Sequence, residues 1–233
     1  MGDLMMLEVA VRSVADAKAA SAGGADRVEV VGEVRYGEMS PEPTVVAEVC
    51  RETDLRVRAR LRLREEYTTD GGELVRLRAL AHEYTRAGAE GMVLGFLTPY
   101  EEIDAELCGA VAGDAPWPWT FHDAVDHAFD SDKAWRVLRQ LPRCDQALTA
   151  GSPRGVEAGL DEILTRAREA DPSLLLVGGA LEADHVPWLV GAGIRNFRLD
   201  VQVRPARSWD EPVDADFVRV WRRLLDDAES RFG

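Results

Sequence analysis

The sequence contains few cysteines and no long apolar run. Cys50, Cys108 and Cys144 are scattered over 233 residues, with neither the spacing of a zinc motif nor that of a disulfide framework. An odd number of isolated cysteines is typical of a reducing compartment. No apolar stretch is long enough to span a bilayer. Residues 1–6 lack the basic region of a signal peptide and a myristoylation signal, so we expect a cytoplasmic protein.

Basic residues are scarce relative to acidic ones. The chain has 28 Lys and Arg against 42 Asp and Glu, which gives a formal net charge of −14. A surface of this charge repels nucleic-acid phosphates and anionic lipids, so we expect neither nucleic acid nor a membrane as a partner. Hydrophobic residues, in contrast, make up 46% of the chain, which is enough for one sizeable core.

Strand-like and helix-like segments alternate about eight times, with short connections. The predicted strands lie within residues 5–11, 25–31, 55–63, 91–96, 117–126, 145–149, 173–179 and 195–200. The predicted helices lie within residues 13–20, 43–52, 73–87, 101–111, 131–140, 155–170, 183–190 and 217–232. This alternation predicts an α/β fold of the TIM-type (β/α)₈ barrel class, with parallel strands inside a ring of helices. A doubly wound open sheet is the alternative, but no glycine-rich dinucleotide fingerprint follows the first strand.

No linker or change of composition divides the chain, so we expect residues 1–233 to form a single domain. The fifth predicted strand is unusual because it carries Thr120 and His122 on one face and Trp119 and Phe121 on the other. Histidine suits catalysis and ligand binding because its pKa lies near neutrality. A lone inward histidine can also be a hydrogen-bonded core residue without a functional role. The functional and the structural interpretation of His122 both stay open.

Charged residues occupy one face of several predicted strands. In the third strand, arginines at every second position from Arg56 to Arg64 alternate with apolar residues. The apolar set must contact the helices of a barrel, so the arginines face the bore. The same alternation directs five further side chains inward: Glu8, Glu29, His122, Arg198 and Asp200. Buried charges cost several kcal/mol each unless they are paired, so we expect a network of ion pairs.

This network has a structural and a functional interpretation. Arg58, deep in the barrel, is expected to be structural, whereas Glu8, Glu29, Arg62 and His122 come later in their strands, near the end where barrel enzymes place their sites. Arginine binds carboxylate or phosphate with two donors, and glutamate and histidine exchange protons. The glycines that follow the sixth and seventh strands would allow backbone N–H groups to approach an anion.

Several of these segments resemble motifs of the CutC copper-homeostasis family. Residues 24–29 (GADRVE) are similar to its GADR(I/V)EL motif, and residues 120–126 (TFHDAVD) to its TFHRAFD motif. Residues 61–64 (LRLR) resemble its IRPR stretch, and residues 148–151 (LTAG) its LTSG turn. The resemblance runs from about Leu7 to Asp200. It implies a TIM-type barrel in a cytoplasmic, often oligomeric protein that is linked to copper tolerance and has no established reaction.

Carried over by position, the resemblance implies a polar pocket lined by Glu8, Glu29, Arg62, His122 and Asp126. The chain also departs from the family pattern. Valines stand beside the two glutamates where family members often carry cysteines, Asp123 replaces an arginine, and Arg198 replaces a histidine. Copper(I) prefers thiolate ligands, and none of the three cysteines is expected at a strand carboxyl end. The sequence therefore indicates a divergent member and argues against a cysteine-based copper site.

Three functions stay open. We predict a copper-homeostasis protein whose expected ligand is copper, with His122 and nearby carboxylates as metal candidates that suit Cu(II) or Zn(II) better than Cu(I). The alternative is a barrel enzyme that acts by acid–base chemistry on a small anionic metabolite, and the third is a bore that serves stability alone. A homodimer or other homo-oligomer is compatible with each. The predicted catalytic residues are Glu8, Glu29, His122 and Asp126, and the predicted substrate-binding residues are Arg62, Arg64, Thr149, Gly178 and Arg198.

Overall fold

The computed structural model describes residues 5–35, 37–113, 116–169 and 171–232. The expectation of no export signal rests partly on residues 1–4, and these lie outside the described ranges. Ala170, at which the sixth helix is predicted to end, also lies outside them.

Eight parallel strands in the described residues close into a barrel, in the order in which they occur along the chain. The strands are Met6–Val11 (β1), Arg27–Val30 (β2), Arg56–Arg60 (β3), Gly91–Leu94 (β4), Trp119–Phe121 (β5), Cys144–Thr149 (β6), Leu175–Val177 (β7) and Asn196–Leu199 (β8). The barrel closes where β8 pairs with β1, with Arg198 opposite Glu8. The TIM-type (β/α)₈ barrel predicted from the sequence is confirmed.

A helix follows each strand and packs on the outside of the barrel. The helices are Val14–Gly23 (α1), Pro43–Glu52 (α2), Gly71–Ala87 (α3), Ala105–Ala112 (α4), Ser131–Leu138 (α5), Val156–Glu169 (α6), Val186–Gly191 (α7) and Ala215–Phe232 (α8). As predicted, Ser13 caps α1, and its side chain accepts a hydrogen bond from the Asp16 N–H. Helix α4 begins at Ala105 rather than at Glu101, because the side chain of Asp104 accepts the Leu107 N–H as its cap.

The strand side chains divide between two environments. Outward residues such as Leu7, Val28 and Phe121 pack against the helices in the main apolar core. A separate small cluster of Met6, Leu148 and Leu176 lies inside the bore, because these residues alternate with the outward ones. In the part of the chain that the structure describes, every helix is too short or too polar to cross a lipid bilayer.

Two glycines bring the loop after β6 against α6. A Cβ atom on Gly159 would lie only 2.1 Å from the carbonyl oxygen of Ala150, and one on Gly151 would lie 2.2 Å from the carbonyl oxygen of Gly159. Gly151 also has a φ of 71°, which L-residues rarely adopt. This close backbone contact holds Ala150 at the carboxyl end of β6, next to the cavity described below.

We expect Gly159→Ala to destabilise the protein by about 1–3 kcal/mol, because the added methyl group overlaps the Ala150 backbone. The matched control is Gly109→Ala in α4, where a Cβ atom would meet nothing within 4 Å. That change should stabilise by about 0.5–1 kcal/mol, since alanine loses less backbone entropy in a helix. Urea denaturation measures both free energies of unfolding. Equal effects of the two substitutions would contradict the close packing.

Candidate functional site

A cavity of about 530 Å³ opens at the carboxyl ends of the strands. Its walls come from the loops that follow β2, β3, β5, β6, β7 and β8. The lining residues that the argument below uses are Glu38, Arg62, Tyr67, Asp123, Asp126, Gly178, Arg198 and Trp209. The position agrees with the end of the barrel at which (β/α)₈ enzymes place their active sites.

The floor of the cavity is a network of buried charges centred on Glu29. Its carboxylate accepts hydrogen bonds from the Nε atoms of Arg60, at 2.6 Å, and of Arg198, at 2.7 Å. Glu38, in the loop after β2, binds the outer ends of both guanidinium groups. Burial raises the pKa of Glu29, and the two guanidinium groups oppose that shift. The protein itself therefore neutralises Arg60 and Arg198.

A second network lies toward the amino ends of the strands and includes Glu8. Arg27 donates to Glu8 and to Gln146, and Arg58 donates to Asp145 at 2.5 Å. Glu8 is fully buried and its nearest approach to Arg198 is 3.9 Å. Glu8 and Glu29, both predicted to be catalytic, thus lie beneath the cavity and do not line it.

His122 is fully buried below the cavity. Its Nδ1 atom accepts the Ala124 N–H at 3.1 Å, so we assign the ring proton to Nε2, which finds no hydrogen-bond partner among the described residues. Burial lowers the pKa of His122 well below its usual value, and the nearby guanidinium groups of Arg60 and Arg62 add to the shift. The imidazole is therefore neutral at pH 7, and it caps the short 3₁₀ helix Asp123–His127.

Arg62 lines the cavity and differs from the arginines of the floor. Its Nε atom donates to the backbone carbonyl of Arg64 at 3.0 Å, and its Nη2 atom donates to that of Glu65. The guanidinium carbon lies 4.5 Å from the centre of the Tyr67 ring. Among the described residues, no carboxylate oxygen lies within 4.0 Å of the guanidinium nitrogens of Arg62, the distance that defines an ion pair. Arg62 is thus a held cation without a direct counter-charge.

Asp123 provides a fixed negative charge at the same wall. It accepts hydrogen bonds from the Tyr67 hydroxyl at 3.1 Å and from Arg60 Nη1 at 3.3 Å, and its side chain is 43% exposed. Burial alone would raise the pKa of Asp123, but its interactions with His122, with the guanidinium groups of Arg60 and Arg62 and with the Tyr67 hydroxyl together hold the pKa below its usual range. Asp123 stays ionised at all physiological pH values.

Asp126 lines the cavity and has a pKa that burial brings close to the physiological range. Its carboxylate accepts hydrogen bonds from Thr149 Oγ1 and, at 2.7 Å, from the Ala150 N–H. Burial raises the pKa of Asp126 to about 6, although these hydrogen bonds oppose the shift. A carboxyl group with this pKa exchanges protons readily at physiological pH. Thr149, predicted to bind substrate, instead holds Asp126 in place.

The remaining predicted site residues separate into two groups. Arg62, Asp126, Gly178 and Arg198 line the cavity. Arg64 lies elsewhere and pairs with Asp70 at 2.9 Å and with Glu73 at 2.8 Å. The reason is that β3 ends at Arg60, so the two-residue alternation does not continue to Arg64.

Several cavity residues are absent from the sequence-based prediction. Glu38, Tyr67 and Trp209 lie in irregular segments or short turns, where no periodicity indicates the direction of a side chain. One signal was available for Glu38. The inward arginines outnumber the inward glutamates, so a further carboxylate had to reach the bore from a loop.

The donor atoms of the cavity do not fit a copper(I) centre. Cys50 and Cys108 lie in α2 and α4, and Cys144 is the first residue of β6, at the amino end of the barrel. Burial raises the pKa of Cys144 to about 12, which disfavours the thiolate that a metal needs. No group of three or more His, Cys, Asp or Glu side chains among the described residues has the geometry to hold a metal ion.

Comparisons with known proteins agree on one family. Residues 5–202 match the model of the CutC family. A family protein CutC of Xanthomonas campestris pv. campestris is 31% identical over 226 residues, which cover 93% of this chain and 94% of the relative. A human protein named copper homeostasis protein cutC homolog is 30% identical over 201 residues, covering 84% of this chain and 73% of the relative.

Solved structures show the same fold. A copper homeostasis protein CutC from Streptococcus agalactiae superposes with a TM-score of 0.74 at 20% identity, over 84% of this chain and 98% of that one. Phosphoribosylanthranilate isomerase from Thermotoga maritima superposes with a TM-score of 0.63 at 13% identity, over 96% of this chain and 100% of that one. At these identities the likeness extends to the barrel fold alone.

The pKa of Asp126 leads to a pH-dependent affinity for anions. Below its pKa of about 6 the carboxyl group is neutral and can donate a hydrogen bond, whereas above it the negative charge repels an anion. We therefore expect the affinity for sulfate, a dianion over the whole range, to fall by about tenfold from pH 5 to pH 7.5. Calorimetric titration measures this change.

Asp126→Asn should remove the pH step, because the amide does not ionise. Asp227→Asn, an exposed position in α8, is the matched control and should retain the step. Persistence of the step in Asp126→Asn would assign it to another group.

Proposed function

The chain belongs to the CutC family, and from that premise we propose that its barrel serves copper homeostasis by binding a small anionic metabolite at the carboxyl ends of the strands. The metabolite carries a phosphate or carboxylate group. The observation that carries this proposal is Arg62, a guanidinium group at the cavity wall that has no carboxylate partner among the described residues. A guanidinium group binds such anions through two parallel hydrogen bonds.

The size and lining of the cavity support the same class of ligand. About 530 Å³ is within the range of small-molecule sites in proteins. Gly178 and Gly179 follow β7 along the wall and carry no side chain that would narrow the cavity. The Gly178 N–H already donates to the Thr149 carbonyl at 3.2 Å. Trp209 adds an aromatic surface and is held by Arg204, whose guanidinium carbon lies 4.6 Å from the centre of its indole ring.

We propose acid–base chemistry for this ligand, with Asp126 as the group that exchanges the proton. Its carboxylate lines the cavity and is positioned by Thr149 and Ala150. Glu8 and Glu29 are each held by arginines below the floor, and His122 is neutral with Nδ1 occupied. The acid–base role therefore moves from the strand residues to Asp126, while Arg62 remains the anion-binding residue.

Direct copper binding has less support. Copper(I) prefers thiolate or thioether ligands, and the three cysteines lie away from the cavity. His122, the metal candidate from the sequence, is fully buried, and its Nδ1 atom already accepts a hydrogen bond. The link to copper homeostasis is thus proposed to operate through the metabolite.

Cytoplasmic location and self-association are further parts of the proposal. All three cysteines are free of disulfide bonds, as in proteins of reducing compartments. Trp188 in α7 and Val220 in α8 are 65% and 62% exposed, on two helices that pack together, and an apolar surface of this kind suits a protein–protein contact.

Substitution of Arg62 tests the proposed ligand class. Wild-type protein should show a higher melting temperature in the presence of a phosphate- or carboxylate-bearing metabolite, because a ligand that binds only the folded state stabilises it. We expect Arg62→Lys, which keeps the charge but loses the two-pronged donor, to weaken binding by about tenfold or more. A thermal-shift screen followed by calorimetry measures both effects.

Arg64→Lys is the matched control, two residues away on the same segment, and should bind as the wild type does. Its side chain pairs with Asp70 and Glu73 outside the cavity. Equal loss of affinity in both variants, or a melting temperature that no anion raises, would contradict the proposal.

Copper titrations test the alternative. We expect His122→Ala to leave the affinity for Cu(II) unchanged, because its ring is sealed below the cavity. Any anaerobic uptake of Cu(I) by the wild type should be retained in Arg62→Lys, because the proposal assigns an anion and not a metal to Arg62. A Cu(I) affinity that depends on cavity residues would overturn this expectation. Competition with a chromophoric chelator gives the dissociation constants.

A further inference from the structure

A second cavity lies at the opposite mouth of the barrel, where the strands begin. Its volume is about 480 Å³. Four of its lining residues are arginines: Arg27, Arg56, Arg58 and Arg195. They come from β2, from β3 and from the segment that leads into β8, so they surround the opening. The protein as a whole carries a net charge of −14, which makes this concentration of positive charge distinctive.

Two of the four arginines are neutralised by carboxylates. Arg27 pairs with Glu8, and Arg58 pairs with Asp145 at 2.5 Å. Both guanidinium groups are nearly inaccessible, with side chains that are 2% and 3% exposed. Arg27 and Arg58 therefore form the inner wall of the cavity, and their role is to stabilise the barrel.

Arg56 and Arg195 have no such partners. Neither has a carboxylate oxygen within 4.0 Å in the ranges that the structure describes. Arg195 Nη1 donates to the backbone carbonyls of Val190 and Ile194, both at 3.0 Å, which holds the side chain in place without neutralising it. The carboxylate of Asp171, also at this mouth, accepts the Ser173 N–H at 2.9 Å. Among the described residues, Arg56 and Arg195 are therefore the two arginines of this mouth that have no ion-pair partner.

Burial lowers the pKa of Arg27, and the like charge of Arg58 lowers it further, although Glu8 opposes both. An anion in the cavity would relieve this repulsion, because an opposite charge nearby favours the charged form of a guanidinium group.

The two cavities are separate. Met6 lines the cavity at the amino ends, Leu148 lines the cavity at the carboxyl ends, and both belong to the apolar cluster in the bore. The pair of Arg27 and Glu8 fills the bore beside this cluster. A ligand at one mouth therefore does not occupy the other.

We propose that the cavity at the amino ends is a second anion-binding site, which takes a small phosphate-bearing molecule between Arg56 and Arg195. Several guanidinium groups around one opening suit a multiply charged anion better than a single carboxylate. The volume accommodates a small phosphate ester. This site uses none of the residues of the proposed function, so each can fail without the other.

Pyrophosphate binding followed by NMR tests the proposal with the full-length protein. Ser173, Gly193 and Asn196 line the cavity at the amino ends, so their amide resonances report on binding there. Gly178 and Gly179 line the cavity at the carboxyl ends, and their amide resonances report on that one. We expect saturable shifts of the first set in wild-type protein and in Arg62→Lys. Shifts confined to Gly178 and Gly179, or small shifts spread over the whole surface, would overturn the second site.

The double substitution Arg56→Ala/Arg195→Ala should weaken the affinity for pyrophosphate, as reported by the amides of Ser173, Gly193 and Asn196, by about tenfold or more. It should leave the shifts of Gly178 and Gly179 unchanged. Arg56→Ala alone gives a second readout with little risk to folding, because Arg56 is exposed. The matched control, Arg136→Ala/Arg223→Ala, removes two exposed charges that line neither cavity and should bind as the wild type does. An equal loss in the control would show a general charge effect and overturn the proposal.

Discussion

Pairing of buried guanidinium groups is the constraint on which this barrel depends. Alternation along β3 directs Arg58 and Arg60 into the bore, and β2 and β8 add Arg27 and Arg198. A buried charge that loses its partner costs about 3–5 kcal/mol, so each of these residues must meet a carboxylate. Strand residues, including Asp145 of β6, supply most of the carboxylates, and the loop residue Glu38 supplies another. The packing of strands and loops around the bore is therefore coupled through charge.

Once the pairs are formed, the chemistry of the barrel is confined to its two ends. Arg60 and Arg198 are neutralised by Glu29 and Glu38 and act as a floor. Arg198 lines the cavity, but its charge is already compensated, so an anionic ligand would have to compete with those pairs. At the carboxyl ends the cavity also contains Arg62, which has no carboxylate partner among the described residues, and the titratable Asp126. The proposed ligand site therefore depends on these residual charges and not on the most buried ones.

The sequence predicts the barrel and the inward charges well, because both follow from a period of two residues that local sterics impose. The prediction of an inward side chain fails where the strand ends. Arg64 continues the alternation in the sequence, but β3 stops at Arg60. Prediction from the sequence also fails for Glu38 and Tyr67, whose directions depend on loop conformation and on contacts with residues distant in the chain. The depth of Glu8, Glu29 and His122 likewise requires the stagger of neighbouring strands, which the register of pairing decides and the sequence does not express.

His122 illustrates the difference between a residue of the right type and a residue in the right environment. Its chemical type suits proton transfer, yet burial keeps it neutral and Ala124 occupies its Nδ1 atom. Asp126 is of an ordinary type, with a pKa that would leave it ionised in water, but partial burial beside Thr149 brings the pKa to about 6. The environment thus exchanges the expected roles: the histidine supports the short helix that carries Asp126, and the carboxylate acquires the proton affinity for which histidine is usually chosen.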